Sequence, residues 1–79
     1  MKTAENAYGS RELEFAIFCI ENVAAKLGVD GRTVYAALAG PSDILNSYII
    51  PGYEALHTQG KDYIVDDIID VMYERGVCL

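Results

Sequence analysis

Apolar residues recur along this chain at intervals of three and four, the spacing of a helix face, and no strand-like alternation interrupts them. The first such run spans about Arg11 to Leu27. Leu13, Ile17, Ile20, Ala24 and Leu27 fall on one face, and Phe15, Ala16, Phe18, Cys19 and Val23 widen the apolar surface well beyond one stripe. Glu14, Glu21, Asn22 and Lys26 keep only a narrow polar strip. A helix apolar over most of its girth is central to a fold or turns one face to a partner. Ser10 stands where an N-cap belongs, Glu12 and Glu14 suit the positive end of the helix dipole, and Gly28 is free to close the helix at positive φ. The last run, Lys61 to Arg75, places Ile64, Val65, Ile68, Ile69, Val71 and Met72 on a buried side. Asp62, Asp66 and Asp70 stand one turn apart on the other side, and Gly76 ends the pattern.

Between these runs the breaks are closely spaced. Asp30 is placed to cap a second helix, about Gly31 to Ala39, with Val34, Tyr35 and Leu38 inward and Gly40-Pro41 as its stop. Ser42 is expected to cap a short third helix, roughly Asp43 to Ser47. Ile49-Ile50-Pro51-Gly52 is expected to be extended or a turn, because a residue before proline is pushed out of the α region. Tyr53 to Thr58 suits one or two helical turns, and Gly60 interrupts. The prediction is an all-α fold, a compact bundle of about four to five helices with a helix-turn-helix-like hairpin. A flexible N-terminal arm, 1–9, is expected to precede a single helical domain, 10–79.

Composition narrows the function more than the fold. Seventy-nine residues make one domain with a small core, yet 52% of them are hydrophobic. Part of that surface is expected to be covered by a protein partner or a second copy in a homodimer. Twelve acidic residues against six basic, net −6, argue against nucleic acid and against anionic membranes. No apolar stretch reaches membrane-spanning length, and no signal-peptide pattern follows Lys2. A cytoplasmic protein with free thiols is the expectation. Two cysteines and one histidine lack metal-ligand spacing, and the seven glycines form no phosphate loop, so neither metal nor cofactor is expected.

Polar candidates gather between Tyr48 and Asp67. His57 has the chemistry of a general base, but no motif places a nucleophile or an acid partner for it. With Thr58 and Gln59 it is better suited to satisfying free backbone groups around the Pro51-Gly52 and Gly60 breaks. Asp62, Asp66 and Asp70 read as a solvated face rather than a cation site, whereas Asp67 flanks the apolar stripe and is expected to pair with something buried. Tyr48 and Tyr53 have the amphipathic character common at protein interfaces. Tyr48, Tyr53, His57, Thr58, Gln59, Asp66 and Asp67 are therefore the candidate interaction or bend residues, with no catalytic residue assigned. A second possibility rests on residues 23–38, where Ala24, Gly28, Val29, Val34 and Leu38 have helix-turn-helix spacing. DNA contact would then fall to Arg32, Thr33 and Tyr35, a thin set for reading base edges and holding phosphates.

Three blocks carry a resemblance. Phe15 to Glu21 reads F-x-x-F-C-I-E, Ser42 to Gln59 contains S-D-I-L-x-x-Y-I-I-P-x-Y-E-x-L-H-T-Q, and Tyr63 to Ile68 is Y-I-V-D-D-I. Together they resemble a family of small uncharacterised bacterial proteins, a domain of unknown function found mostly in anaerobic Gram-positive bacteria. Such proteins tend to be encoded beside another small protein resembling ADP-ribosyltransferases. The resemblance therefore implies an accessory role, antitoxin-like or adaptor, and marks Tyr53, His57, Thr58, Gln59, Asp66 and Asp67 as the polar positions to examine; the apolar surface, the tyrosines and the acidic charge make the expected role a non-enzymatic one.

Overall fold

The structure, a computed structural model, describes residues 10–77; the N-terminal arm expected over 1–9 lies outside the described residues. Four α-helices and one π-helical turn follow in order: α1 (Ser10–Leu27), α2 (Gly31–Ala39), the π-turn (Leu45–Ile49), α3 (Tyr53–Leu56) and α4 (Lys61–Glu74). No strand occurs among the described residues, and the all-α bundle expected from the periodicity is the observed fold.

The helix stops follow local chemistry. Gly28 adopts φ +70°, and the Val29 amide donates to the Ala24 carbonyl at 3.0 Å. This is the six-to-one bond of a Schellman cap, which needs a residue tolerant of positive φ. Gly76, at φ +75°, closes α4 in the same way, with the Val77 amide donating to the Met72 carbonyl at 2.8 Å. Asp30 starts α2 as expected, its side chain accepting from the Arg32 amide at 2.7 Å.

Helix α1 packs against both α2 and α4. Its buried residues are Phe15, Ala16, Cys19, Val23 and Ala24. The stripe of Leu13, Ile17, Ile20, Ala24 and Leu27 is only partly buried: Ile17 is 55% exposed and Leu13 38%, and Leu27 is exposed as well. The apolar arc of α1 is too wide for periodicity to choose its centre, so the positions of α2 and α4 choose it. Helix α2 contributes Val34 and Leu38, both fully buried, so the hairpin core expected from Ala24, Val29, Val34 and Leu38 is present. Tyr35, expected inward, is 53% exposed. On a nine-residue helix only one face reaches α1, and Val34 and Leu38, four apart, take it. Helix α4 buries Ile64, Val65, Ile68 and Met72, with Ile69 and Val71 partly buried beside them.

The middle of the chain departs most from expectation. Residues 50–52 form a turn, one of the two expected forms, but Ile50 keeps helical backbone angles, φ −65° and ψ −51°, although Pro51 follows it. In an α-helix a proline ring collides with the carbonyl four residues back and leaves one carbonyl without a donor. Here the turn widens instead, and the Ile50 amide donates to the Leu45 carbonyl at 3.0 Å, five residues back. A π-bulge of this kind accommodates the proline without ending the helical path. The four-residue register resumes with the Gly52 amide on the Tyr48 carbonyl at 2.9 Å.

Ser42 does not cap this segment; its hydroxyl has no hydrogen-bond partner among the described residues. Asp43 takes over the start. It sits at φ +50°, its carboxylate accepts from Asn46 at 3.1 Å, and its carbonyl accepts the Ser47 amide at 2.9 Å. A short polar side chain tolerates that left-handed backbone better than most. Arg75 ties the segment to the end of α4, donating from Nη1 to the Ser42 carbonyl at 3.0 Å and to Ser47 Oγ at 2.6 Å.

Gly52 is required by space, not by φ. A Cβ there would lie 2.6 Å from the Tyr48 carbonyl oxygen and 3.3 Å from Leu56 Cδ1. Gly52→Ala is therefore expected to cost about 1–3 kcal/mol, the range for overpacking a tight site. Gly60→Ala, where a Cβ meets nothing within 4 Å, stays within about 1 kcal/mol of the parent. Urea denaturation of both variants checks this, and equal midpoints would remove the steric argument.

Candidate functional site

Two clefts open around the bend, and Gln59 lines both. The first, about 450 Å³, lies among the π-turn, α3 and α4 and is lined by Tyr48, Pro51, Gly52, Leu56, Tyr63 and Asp67 among others. The second, about 340 Å³, lies between the start of α1, α3 and α4, with Arg11, Phe15, Phe18, Tyr53, His57 and Ile64 on its walls.

In the first cleft the Tyr48 hydroxyl donates a short hydrogen bond to Asp67 Oδ2. The π-turn supplies the tyrosine, and α4 supplies the carboxylate from the flank of its buried stripe. Asp67 was expected to pair with something buried; it does find a partner, but Tyr48 is only half-buried. The bond to Asp67 is the main cause that pushes the Tyr48 phenol up to about 12, with partial burial and the neighbouring negative charges of Asp67, Tyr63 and Glu74 adding to it. Tyr48 is a donor at every physiological pH, and it holds the carboxylate in place.

In the second cleft the side chains form an aromatic row. The Phe15 and Phe18 rings are 6.3 Å apart, Tyr53 meets Phe15 edge-on at 5.4 Å, and the His57 ring meets Tyr53 at 4.3 Å and 83°. His57 is exposed, and its imidazole makes no hydrogen bond among the described residues. A general base needs a proton to take within hydrogen-bond reach and gains from a group that orients it. Here the imidazole is held by ring contact alone. Thr58 closes the end of α3, its hydroxyl donating to the Ala55 carbonyl at 3.1 Å, which is the backbone-satisfying role expected of it.

The remaining candidates lie apart from both clefts. Asp66 pairs with Lys26 Nζ at 3.3 Å, joining α4 to α1 across an exposed surface, and a pair in that setting contributes less than about 1 kcal/mol. Asp62 and Asp70 are exposed, and among the described residues no three His, Cys, Asp or Glu come together as a metal set. Arg32, Thr33 and Tyr35 are all exposed on α2. Arg32 Nε lies 3.7 Å from Asp30 Oδ1, so the one cation of that surface has an acid beside it. Cys19 is fully buried, and burial pushes its thiol up to about 12, which keeps it protonated and unreactive.

Tyr63, which is not among the candidate residues, also lines the first cleft. It stands four residues before Asp67 on α4, which puts ring and carboxylate on neighbouring turns of one face. That spacing was available in the sequence, but nothing marked the facing wall, which the π-turn and α3 bring from elsewhere in the chain.

Residues 14–75 match the model of a family described as Protein of unknown function (DUF3791). No curated protein and no solved structure matches the chain. Among the described residues no helix is long and apolar enough to cross a membrane.

The Tyr48–Asp67 bond has a definite pH signature. A phenol whose folded value is raised contributes stability that is fully present below its unfolded value of 10.0 and is lost as pH rises through about 12. Alkaline titration followed by phenolate absorbance is expected to show one late-ionising tyrosine that is missing in Tyr48→Phe. At neutral pH that variant is destabilised by about 1 kcal/mol. A late phenol that persists in the variant would assign the shift to another residue.

Proposed function

The chain belongs to the DUF3791 family, and we propose that this member is a non-enzymatic protein-docking module, an accessory or antitoxin-like adaptor. The observation that carries this reading is the apolar surface left outside the core. Leu13 and Ile17, one turn apart on α1, stay exposed although fourteen other apolar residues form a core drawing on every helix. Tyr35, Tyr63 and Tyr73 add large exposed rings. Such side chains on regular helices suit a partner that buries them. The net charge of −6 favours a partner with basic character around the contact. The lack of an activating partner for His57 and the inert Cys19 support a role without catalysis.

A second reading, a helix-turn-helix regulator, draws on the α1–α2 hairpin, whose short turn and buried Val34 and Leu38 suit that motif. Its outward face is thin for DNA, with Arg32 beside Asp30.

Light scattering after size exclusion separates these readings. The docking reading expects a homodimer, or a defined complex with a protein partner of basic character. Ile17→Glu, at a site where the charge stays in solvent in the free protein, is expected to weaken that assembly at least tenfold while leaving helicity unchanged. A strict monomer that forms no complex ends the docking reading. A gel shift on the protein's own promoter region, at low salt where phosphate contacts are strongest, decides the regulator reading, and no shift there ends it.

A further inference from the structure

We propose that the cleft among the π-turn, α3 and α4 receives an arginine side chain from the docked protein. This rests on the docking reading and names the chemistry of one contact within it. The walls are apolar and aromatic: Pro51, Gly52 and Leu56 on one side, and the Tyr63 ring, 57% exposed, on the other. The polar groups are acceptors or neutral. Asp67 lies among them with Oδ2 engaged by Tyr48, while Oδ1 takes no hydrogen bond among the described residues. Gln59 adds an amide at the mouth. Among the described residues no Lys, Arg or His lines the cleft.

Alternative occupants fit this set less well. An anion would meet Asp67, with Glu74 near enough for its charge to act on Tyr48. A wholly apolar group would cover the carboxylate without satisfying it, which is costly. A cation with a flat face answers both halves of the site, since a guanidinium stacks on a tyrosine ring and donates to a carboxylate at once. An ammonium is a strongly hydrated point charge and matches the ring wall less well. One cation already sits at the edge: Arg75 is held by Ser47, which lines the cleft, and by the Ser42 carbonyl. Its charge disfavours a second guanidinium at that end and leaves the Tyr63–Asp67 end as the place of binding. Tyr48 is a positioning residue here, holding the carboxylate through its hydroxyl.

The test uses the full chain labelled with nitrogen-15 and two small probes, N-acetyl-arginine methylamide and its citrulline counterpart, which has nearly the same shape without the charge. The arginine probe is expected to shift the amide signals of Tyr48, Gln59, Tyr63 and Asp67, saturating on the order of millimolar as suits a single side chain. The citrulline probe leaves them unmoved. Asp67→Asn weakens the arginine effect roughly tenfold. Tyr63→Ala, at an exposed position that leaves the fold intact, weakens it too. Equal shifts from both probes, no shift at the cleft, or an unchanged response in Asp67→Asn overturn the proposal. If the probe fails while light scattering still finds the assembly, only this contact is lost. If the probe binds and no assembly forms, the docking reading falls and the arginine cleft stands.

Discussion

Pro51 removes one donor from a helical path that continues through it, and much of the molecule's geometry follows from how that loss is absorbed. The ladder widens by one residue over Leu45–Ile49. The wider turn carries Tyr48 toward α4, where its hydroxyl meets Asp67. Directly after the proline, Gly52 lets the chain pass so close to the Tyr48 carbonyl that no side chain fits. That close passage seats Leu56 in the core and presents Tyr53 edge-on to Phe15. One missing proton thus couples the bend, the core and the first cleft.

The same bend separates two kinds of surface. Apart from the Ser42 hydroxyl, the described polar side chains lie at the margin of the core, which is held by apolar packing. Tyr48 and Asp67 line one cleft, Tyr53 and His57 the other, and Gln59 lines both. Arg75, Ser42 and Ser47 knit the end of α4 to the start of the π-turn. Because these are hydrogen bonds between elements distant in sequence, they fix how the short segments sit on the long helices. Ile44, Ile49 and Leu56 anchor the same middle third in the apolar core.

The candidate residues were legible to unequal degrees. Of His57, Thr58 and Gln59, expected to satisfy free backbone groups, only Thr58 does so with its side chain among the described residues, because its hydroxyl reaches a carbonyl three residues away. Asp67 was marked as different from its neighbours because it flanks the apolar stripe, although its partner, nineteen residues earlier, was not identifiable. Asp66 belongs to an exposed pair with Lys26 and takes no part in either cleft. Tyr63 was missed because an exposed tyrosine on a helix is unremarkable until an opposite wall is brought to it.

What the sequence determined by itself is everything decided within one helical turn. Gly28 and Gly76 stop helices because positive φ suits glycine, Asp30 caps α2 because its carboxylate reaches an amide two residues on, and Ile64, Val65, Ile68 and Met72 line one side of α4 by spacing alone. What only the tertiary structure decided is everything that depends on a second element. The buried arc of α1 was set by where α2 and α4 lie, Tyr35 was turned out because Val34 and Leu38 took the contact, and Tyr48 met Asp67 because the π-turn and α4 lie side by side. Local preferences act through bonds a few residues long and can be read in order. The energy of packing depends on neighbours that the order of residues does not name.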